Sequence, residues 1–552
     1  MSDTTPSSRR PGLVGVDLGT ASVKVVVCDH ETHLLAQAQA DYAVEHPRPG
    51  WAESDPQDWL GATATAVRRA VAAADVRPTA IGLSGQMHGV VAADDRGRTV
   101  RPAMLWSDAR AAAEVDSYRA LPDDVRARLA NPLVPGMAGP MLGWLAHHEP
   151  DRLRETRWAL QPKDWLRHQL TGEVHAEPSD ASATLLYDLV ADDWDRDVVD
   201  ALDLDPRILP AVLPSASAHA GLVTPRAAEL LGVPAGTPVA AGAADTAAAM
   251  LGTGLVRAGT VQLTIGTGVQ VVTPLDELPA PLAPRPVTHT YRTAGPAGWY
   301  AMAAGLNGGS TLAWVRQILG LTWPELYDAA RLAPEDDDPL FLPYLHGERT
   351  PWLDPGLRGA WTDLSPRHDR SRLARAALEG VAIAVRTAFD GLPALPGGSP
   401  VRIAGGGTVE PAWRQMLSDA IGHPVEAVEV KRRVRSRRRP AGRTLDRHAS
   451  RRGPPERTRR ARSDAEPRRA RPVRGQSAAG PGPPAGAAAG DDLTRPDRSG
   501  CGHGARLASG RAPGARDAGR SSTTSKRRTL AVRAAAVARP RSPVGGTVHR
   551  HP

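Results

Sequence analysis

Cysteine is nearly absent from this 552-residue chain: Cys28 and Cys501 are the only two. Two thiols supply no disulfide framework, which sets aside small secreted scaffolds and favours a reducing compartment. Phenylalanine is as scarce, with two residues. No run of 18 apolar residues occurs, so no transmembrane helix is expected. Met1–Pro11 is polar and lacks an apolar h-region, so it does not read as a secretory signal, and the cytoplasm is the expected compartment. A Walker-type G-x-x-x-x-G-K-[ST] loop and the protein-kinase signature set are also missing, so any nucleotide must be held by other means.

What is present divides into two unlike pieces. The net charge is +8, but Lys431–Pro552 holds 32 Lys and Arg against 8 Asp and Glu, and residues 1–430 hold 36 against 52. All 13 Trp, 7 Tyr and 2 Phe lie in that acidic body. The basic tail has no sustained periodicity and hardly an apolar side chain larger than Val or Leu. It cannot bury enough surface to offset roughly 1–2 kcal/mol of backbone entropy per residue, and disorder is expected.

The body is long enough for two or three domains with proper cores. Leu13–Asp17 and Val23–Asp29 read as strands around the turn Leu18–Ser22, and His33–Val44 as a third antiparallel strand. Asp55-Pro56 has the cap-then-proline signature of a helix that runs amphipathically to Ala74. Ile81–Ser84 is a buried strand, and residues 109–230 are mostly helical. Near Pro238 the pattern restarts, with a strand to Ala241, then Gly242–Thr246 and an Ala-rich helix. Thr260–Ile265 and Val269–Thr273 follow around Gly266-Thr267-Gly268. Two openings of strand, glycine–threonine turn and strand imply two related α/β domains.

Several segments carry chemistry. Gly85-Gln86-Met87-His88-Gly89 follows a buried strand and aims polar groups into a cleft that backbone can approach closely. His and Gln offer hydrogen bonds to hydroxyls and Met a soft apolar wall, a mix suited to a polyol or sugar; a hairpin with a core histidine is the alternative. In Asp17-Leu18-Gly19-Thr20-Ala21-Ser22, consecutive backbone N–H groups suit phosphate oxygens. Asp17 could there hold Mg²⁺ and Lys24 could reach a γ-phosphate. Gly266-Thr267-Gly268 is the same device, although a plain hairpin accounts for either turn alone. Val401–Ala404 leads into Gly405-Gly406-Gly407, where backbone can approach a flat or charged ligand. Asp245 is the candidate base at the bottom of the cleft, and an N-cap role fits its position equally well.

Read together, these residues resemble the FGGY carbohydrate kinases, and within them the xylulokinases, over about residues 12–430. The resemblance is carried by Gly15–Thr20, Gly50–Glu53 before Asp55-Pro56, Gly85–Gly89, Leu105–Asp108 with Arg110, and Pro162–Asp164. It continues through Ser179–Ser182, Asp245, Leu342–Tyr344, Gly347–Pro351, Leu378–Gly380 and Gly405–Gly407 with Trp413–Gln415. The phosphate turns are shared with the wider actin, hexokinase and Hsp70 superfamily; the Gly85–Gly89 run is the specific part.

The resemblance implies an α/β fold of two actin-like (ribonuclease-H-like) lobes around an interlobe cleft. A sugar-binding lobe over 12–241 and a nucleotide-binding lobe over 242–430 would stand between a disordered 1–11 and the tail. The implied activity is ATP-dependent phosphorylation of D-xylulose to D-xylulose 5-phosphate with Mg²⁺; another ketose or polyol, such as ribulose or ribitol, is the alternative. Asp245 would be the proton acceptor, with Gln86, Met87, His88, Trp106 and Thr246 toward the sugar. Gly19, Thr20, Lys24, Gly266, Thr267, Gly309, Gly405, Gly406 and Gly407 would face the nucleotide, and Asp17 the metal. Partners on this reading are the sugar and ATP, with a homodimer open, no membrane, and nucleic acid disfavoured. Ala243 and Ala244 stand where the family usually has glycines. Thr408 and Pro411 also depart from its pattern, which leaves the adenosine contacts open.

The largest departure is the end. Where the family continues into a glycine–alanine helix that finishes the nucleotide lobe, this chain turns to Arg, Ala, Gly and Pro from Lys431. A basic extension that binds nucleic acid is one account. The favoured one is a shifted reading frame near codon 431, which would leave the second lobe incomplete and ATP binding weak. It predicts that another frame downstream encodes that glycine–alanine helix and further amphipathic helices. Resequencing across codon 431 and translating all three frames checks it.

Overall fold

The computed structural model describes residues 9–295, 298–394, 399–408 and 410–428. The disorder expected of residues 1–8 and of the tail 431–552 concerns positions outside the described residues. The first sheet opens with β1 (Arg10–Leu18), β2 (Ser22–Cys28) and β3 (Leu34–Asp41), an antiparallel meander. Val14, Val16 and Leu18 alternate into the core, as do Val23, Val25 and Val27, because successive side chains of a strand point to opposite faces. β1 begins inside the 1–11 segment expected to be disordered. Arg10 and Pro11 pair there with Val76 and Arg77, partners too distant in sequence for a local pattern to reveal.

Helix α1 (Pro56–Ala74) starts where the cap predicts, with Asp55 Oδ1 accepting from Gln57 N at 2.9 Å. Trp59, Ala62, Ala66, Val67, Ala70 and Ala74 recur at helical spacing and are buried against the sheet. The alanines allow close approach and Trp59 supplies the bulk, edge-on to Trp165 with centroids 6.2 Å apart. β4 (Val76–Gly85) returns parallel to β1. Two short helices then matter for the site, α2 (Pro162–Thr171) and α3 (Pro178–Ala181).

β5 (His219–Leu222), β6 (Pro238–Ala240) and β7 (Ala243–Ala244) complete the sheet. Its order is β5-β6-β4-β1-β2-β3, with β7 also on β4. The boundary expected at 241/242 therefore falls within this sheet, since Ala243 and Ala244 pair with Ser84 and Gly85. A restarting strand looks the same in sequence whichever sheet it joins. Helix α4 (Asp245–Thr253) follows directly.

The second sheet is built from β8 (Val261–Ile265), β9 (Val269–Leu275), β10 (His289–Arg292), β11 (Trp299–Gly305), β12 (Val401–Ala404) and β13 (Val425–Ala427). Its order is β10-β11-β9-β8-β12-β13. The run β11-β9-β8-β12-β13 repeats β3-β2-β1-β4-β6: two antiparallel neighbours on one side of the first strand, two parallel ones on the other. This is the doubled α/β arrangement expected from the two similar openings. Helices α5 (Gly309–Ile318), α6 (Arg370–Asp390) and α7 (Pro411–Ile421) belong to this half, and their buried Leu312, Leu378, Val381 and Trp413 join its core.

Trp59 fixes α1 on the first sheet, so Trp59→Ala is expected to cost about 3–5 kcal/mol of unfolding free energy. Denaturant titration followed by far-UV circular dichroism measures it.

Candidate active site

Each candidate segment sits at the C-terminal end of a parallel strand. Asp17 and Leu18 pair with Ser84 and Gly85, and Ala243 and Ala244 pair with the same two residues. Asp17, the Gln86–His88 run and Asp245 are thereby gathered at one edge of the first sheet. In the second sheet Thr264 pairs with Ala404, which aligns Gly266-Thr267-Gly268 with Gly405–Gly407. Ligands of parallel α/β sheets collect at such carboxyl edges.

Asp245 opens α4 and faces the cleft. It is accessible to solvent, yet protein crowds it closely enough that desolvation raises its carboxyl pKa to about 6, with the Asp17 charge adding and bonds from Thr246 opposing. Thr246 Oγ1 donates to Asp245 Oδ1 at 3.1 Å and accepts from Gln270 Nε2 at 3.1 Å. Its only proton is thus committed to orienting Asp245. Gln270 lies on β9, so this chain of bonds joins the second sheet to the carboxylate.

Gln86, Met87 and His88 are placed side by side. Met87 is buried, and among the described residues the buried Gln86 has neither Oε1 nor Nε2 paired. An unpaired buried amide is costly, which marks a position where a ligand can supply partners. His88 adopts φ +73 and bonds Ala183 O through Nδ1 at 2.7 Å. Burial lowers its pKa to about 4, against the Ala183 bond and with the Arg349 charge adding. The neutral ring donates through Nδ1 and keeps an acceptor lone pair on Nε2. Trp106 Nε1 donates to Thr20 Oγ1 at 3.0 Å, so its N–H belongs to the turn and its ring face is what remains for the cleft.

The phosphate-type turns form as expected. Gly19 N closes the first on Ser22 O at 3.0 Å. Lys24 is exposed and directly opposite Asp17 across β1 and β2, on the same sheet face. Asp17 accepts from Ser84 Oγ at 3.2 Å and makes no ion pair among the described residues, so its carboxylate is a suitable hard oxygen ligand for Mg²⁺. In the second turn Gly309 N donates to Gly266 O at 2.8 Å, seating the start of α5 on it. A Cβ on Gly309 would meet Gly266 O at 2.4 Å, and one on Gly405, at φ +97, would meet Ile265 O at 2.3 Å. Gly405 and Gly406 are exposed along this cradle, and Gly407 is half-buried. These surfaces can hold phosphate groups and a nucleotide.

Known proteins share this arrangement. The family model for the FGGY carbohydrate kinases matches residues 13–252 with its N-terminal domain and residues 261–434 with its C-terminal domain. The xylulose kinase of Escherichia coli is 37% identical over 421 residues, covering 75% of this chain and 85% of its own length. The chain belongs to the FGGY family of carbohydrate kinases. A Streptomyces rubiginosus xylulose kinase is 34% identical over 431 residues. A solved Brucella ovis structure described as a xyloylose kinase superposes with a TM-score of 0.70 at 33% identity, over 75% of this chain and 86% of that one. As an FGGY kinase the protein acts on a carbohydrate with ATP.

Beneath the FGGY site lies a group of buried charges whose arrangement no single motif discloses. Lys163 Nζ stands 2.5 Å from Asp164 Oδ1, 3.3 Å from Glu177 Oε1 and 3.3 Å from Asp180 Oδ2, all fully buried. Arg167 joins Asp164 at 2.7 Å. Burial acts against charge on Lys163, but the three acids outweigh it and raise its pKa. Asp180 is raised well above the carboxylate range, by burial first, with the Lys163 charge opposing and Asp164 and Glu177 adding to the rise. Glu177 also holds Ser179, whose Oγ accepts from Ala244 N at 3.0 Å, one residue before Asp245. Lys163 and Asp164 were visible as a motif, but their contact with Glu177 and Asp180 needed the fold. Gln270, His289 and Tyr291 gave no sequence signal beyond strand alternation.

The raised carboxyl of Asp245 gives a signed prediction. A carboxyl with a higher pKa folded than unfolded adds stability below its unfolded pKa near 3.8 and loses it as pH rises through about 6. Asp245→Asn should therefore melt higher than the wild type at pH 7.5, by about 1 kcal/mol once water in the open cleft is allowed for. The gap should close as pH falls toward 4. Melting curves at a series of pH values read it.

Proposed function

We propose that this FGGY kinase phosphorylates D-xylulose to D-xylulose 5-phosphate with ATP and Mg²⁺. The choice of sugar rests on the Escherichia coli and Streptomyces rubiginosus relatives, both named xylulose kinases, and on Gln86, Met87 and His88 at the strand edge. One observation carries the chemistry: Asp245 faces the cleft with a pKa near 6, beside Asp17. Ionised at neutral pH, its carboxylate accepts the proton of the sugar 5-hydroxyl as that oxygen attacks the γ-phosphorus.

The other residues bind, orient and exclude. Thr246 and Gln270 hold Asp245 in register. His88 Nε2 accepts from a sugar hydroxyl, the Gln86 amide fills its open valences on neighbouring hydroxyls, and Met87 forms the wall. Gly19, Thr20 and Lys24 face the phosphates from one side, and Gly266, Thr267, Gly309, Gly405, Gly406 and Gly407 face the nucleotide from the other. Asp17 would hold Mg²⁺, which neutralises phosphate charge when bound. Closure of the lobes keeps water, the competing acceptor, away from the phosphoryl group.

ADP release measured over D-xylulose, D-ribulose, ribitol and glycerol tests the assignment, and kcat/KM should be highest for D-xylulose. Asp245→Asn should lower kcat by about 10²–10⁴-fold while sparing sugar binding. In the wild type, kcat should fall about tenfold per pH unit below pH 6, as the base becomes protonated. His88→Ala should raise KM for the sugar about tenfold through loss of a hydrogen bond.

A further inference from the structure

Arg349 stands on the segment Gly347–Pro351, where Tyr291 and Glu348 favour its charge from a distance, but no carboxylate among the described residues pairs with its guanidinium. The loop itself is firmly built. Glu348 accepts from Leu306 N at 2.7 Å, Asn307 Nδ2 at 3.0 Å and Arg349 N at 2.8 Å, so the adjacent carboxylate serves the loop frame. Thr350 N donates to Ala304 O at 3.0 Å. Among the described residues the half-buried Arg349 guanidinium makes no hydrogen bond and no ion pair. It lies instead over the face of Trp106, with Cζ 5.6 Å from the ring centroid. A cation withdrawn from water without an acceptor is costly unless a ligand provides one.

Position narrows the ligand group. The Arg349 charge acts on His88, His289 and Tyr291, whereas the charge acting on Asp245 is that of Asp17. The guanidinium thus stands by His88, His289 and Tyr291, and Tyr291 is the residue it shares with Asp245. Arginine offers donors only, and the neighbouring neutral His88 offers an acceptor. A donor-only group beside an acceptor matches an α-hydroxy ketone, whose carbonyl oxygen accepts and whose adjacent hydroxyl donates.

We propose that Arg349 contacts the carbonyl end of the sugar and sets the preference for ketoses over alditols, an inference that rests on the sugar-kinase reading above. The planar fork can meet the carbonyl and a flanking oxygen together, which a lysine ammonium cannot do. Trp106, tied to Thr20 in the first turn, serves as the face on which that fork is laid.

The test uses the full chain with Arg349, Arg349→Lys and Arg349→Met, titrated calorimetrically with D-xylulose and with xylitol, alongside melting curves and steady-state kinetics. Arg349→Met should weaken D-xylulose binding at least about tenfold and xylitol binding less than about threefold, with KM rising more than kcat falls. Arg349→Lys keeps the charge and should lose an intermediate amount for the ketose alone, which decides the matter should the methionine variant not fold. Unchanged D-xylulose affinity overturns the inference, as does equal weakening of both sugars or a loss confined to kcat. A wild-type chain that binds D-xylulose through Arg349 but does not phosphorylate it at saturating ATP refutes the kinase reading and leaves this inference standing. Phosphorylation untouched by Arg349→Met does the reverse, and a wild type that binds no ketose refutes both.

Discussion

Lys163 is the residue on which the site geometry depends. Its ammonium is the shared counter-ion of Asp164, Glu177 and Asp180 at a point with no access to water. Burial pushes the Asp180 carboxyl up, while the Lys163 charge opposes that rise, and Arg167 braces Asp164 from the other side. Removing one member of such a group leaves a buried ion uncompensated, at a cost of about 3–5 kcal/mol. The cluster also sits under both halves of the site. A Cβ on Gly85 would lie 2.8 Å from Lys163 Cβ, so Lys163 supports the strand end before Gln86. Through Glu177 and Ser179 it also holds Ala244, immediately before Asp245.

The doubled sheet explains why so few side chains suffice. Strands that run parallel end at the same level, and each sheet delivers its turns to one edge. The first sheet contributes Asp17, the Gln86–His88 run and Asp245; the second contributes Gly266-Thr267 and Gly405–Gly407. Gln270 crosses between the sheets to bond Thr246. The base is therefore oriented by a residue of the other half, so a shift between the halves would disturb its alignment. Phosphoryl transfer depends chiefly on positioning and charge, and such a scaffold controls both.

The two kinds of residue in the cleft differ in how they are recruited. Glycines at 309 and 405 are there because a Cβ would strike a carbonyl oxygen 2.3–2.4 Å away, with Gly405 also at φ +97, whereas a Cβ on the exposed Gly266 would meet nothing within 4 Å. Polar side chains such as Gln86 and Arg349 are there with bonds left open. Most buried polar groups in the protein are satisfied internally, as Asp108 is by Ala52 N and Arg110. Gln86, at the end of β4, is an exception with both amide atoms open among the described residues.

The sequence by itself determined the local pieces. Strand alternation at Val14, Val16 and Leu18, the Asp55-Pro56 helix start, the glycine turns and the run around His88 all depend on neighbours within a few residues, and those neighbours are written in order. Only the tertiary structure decided the rest. It joined Ala243 and Ala244 to the first sheet, extended β1 back to Arg10, brought Lys163 to Glu177 and Asp180, and left the Arg349 guanidinium without an acceptor among the described residues. The physical reason is that burial, pairing and pKa are set by groups distant in the chain and close in space. A sequence names those groups but not their distances.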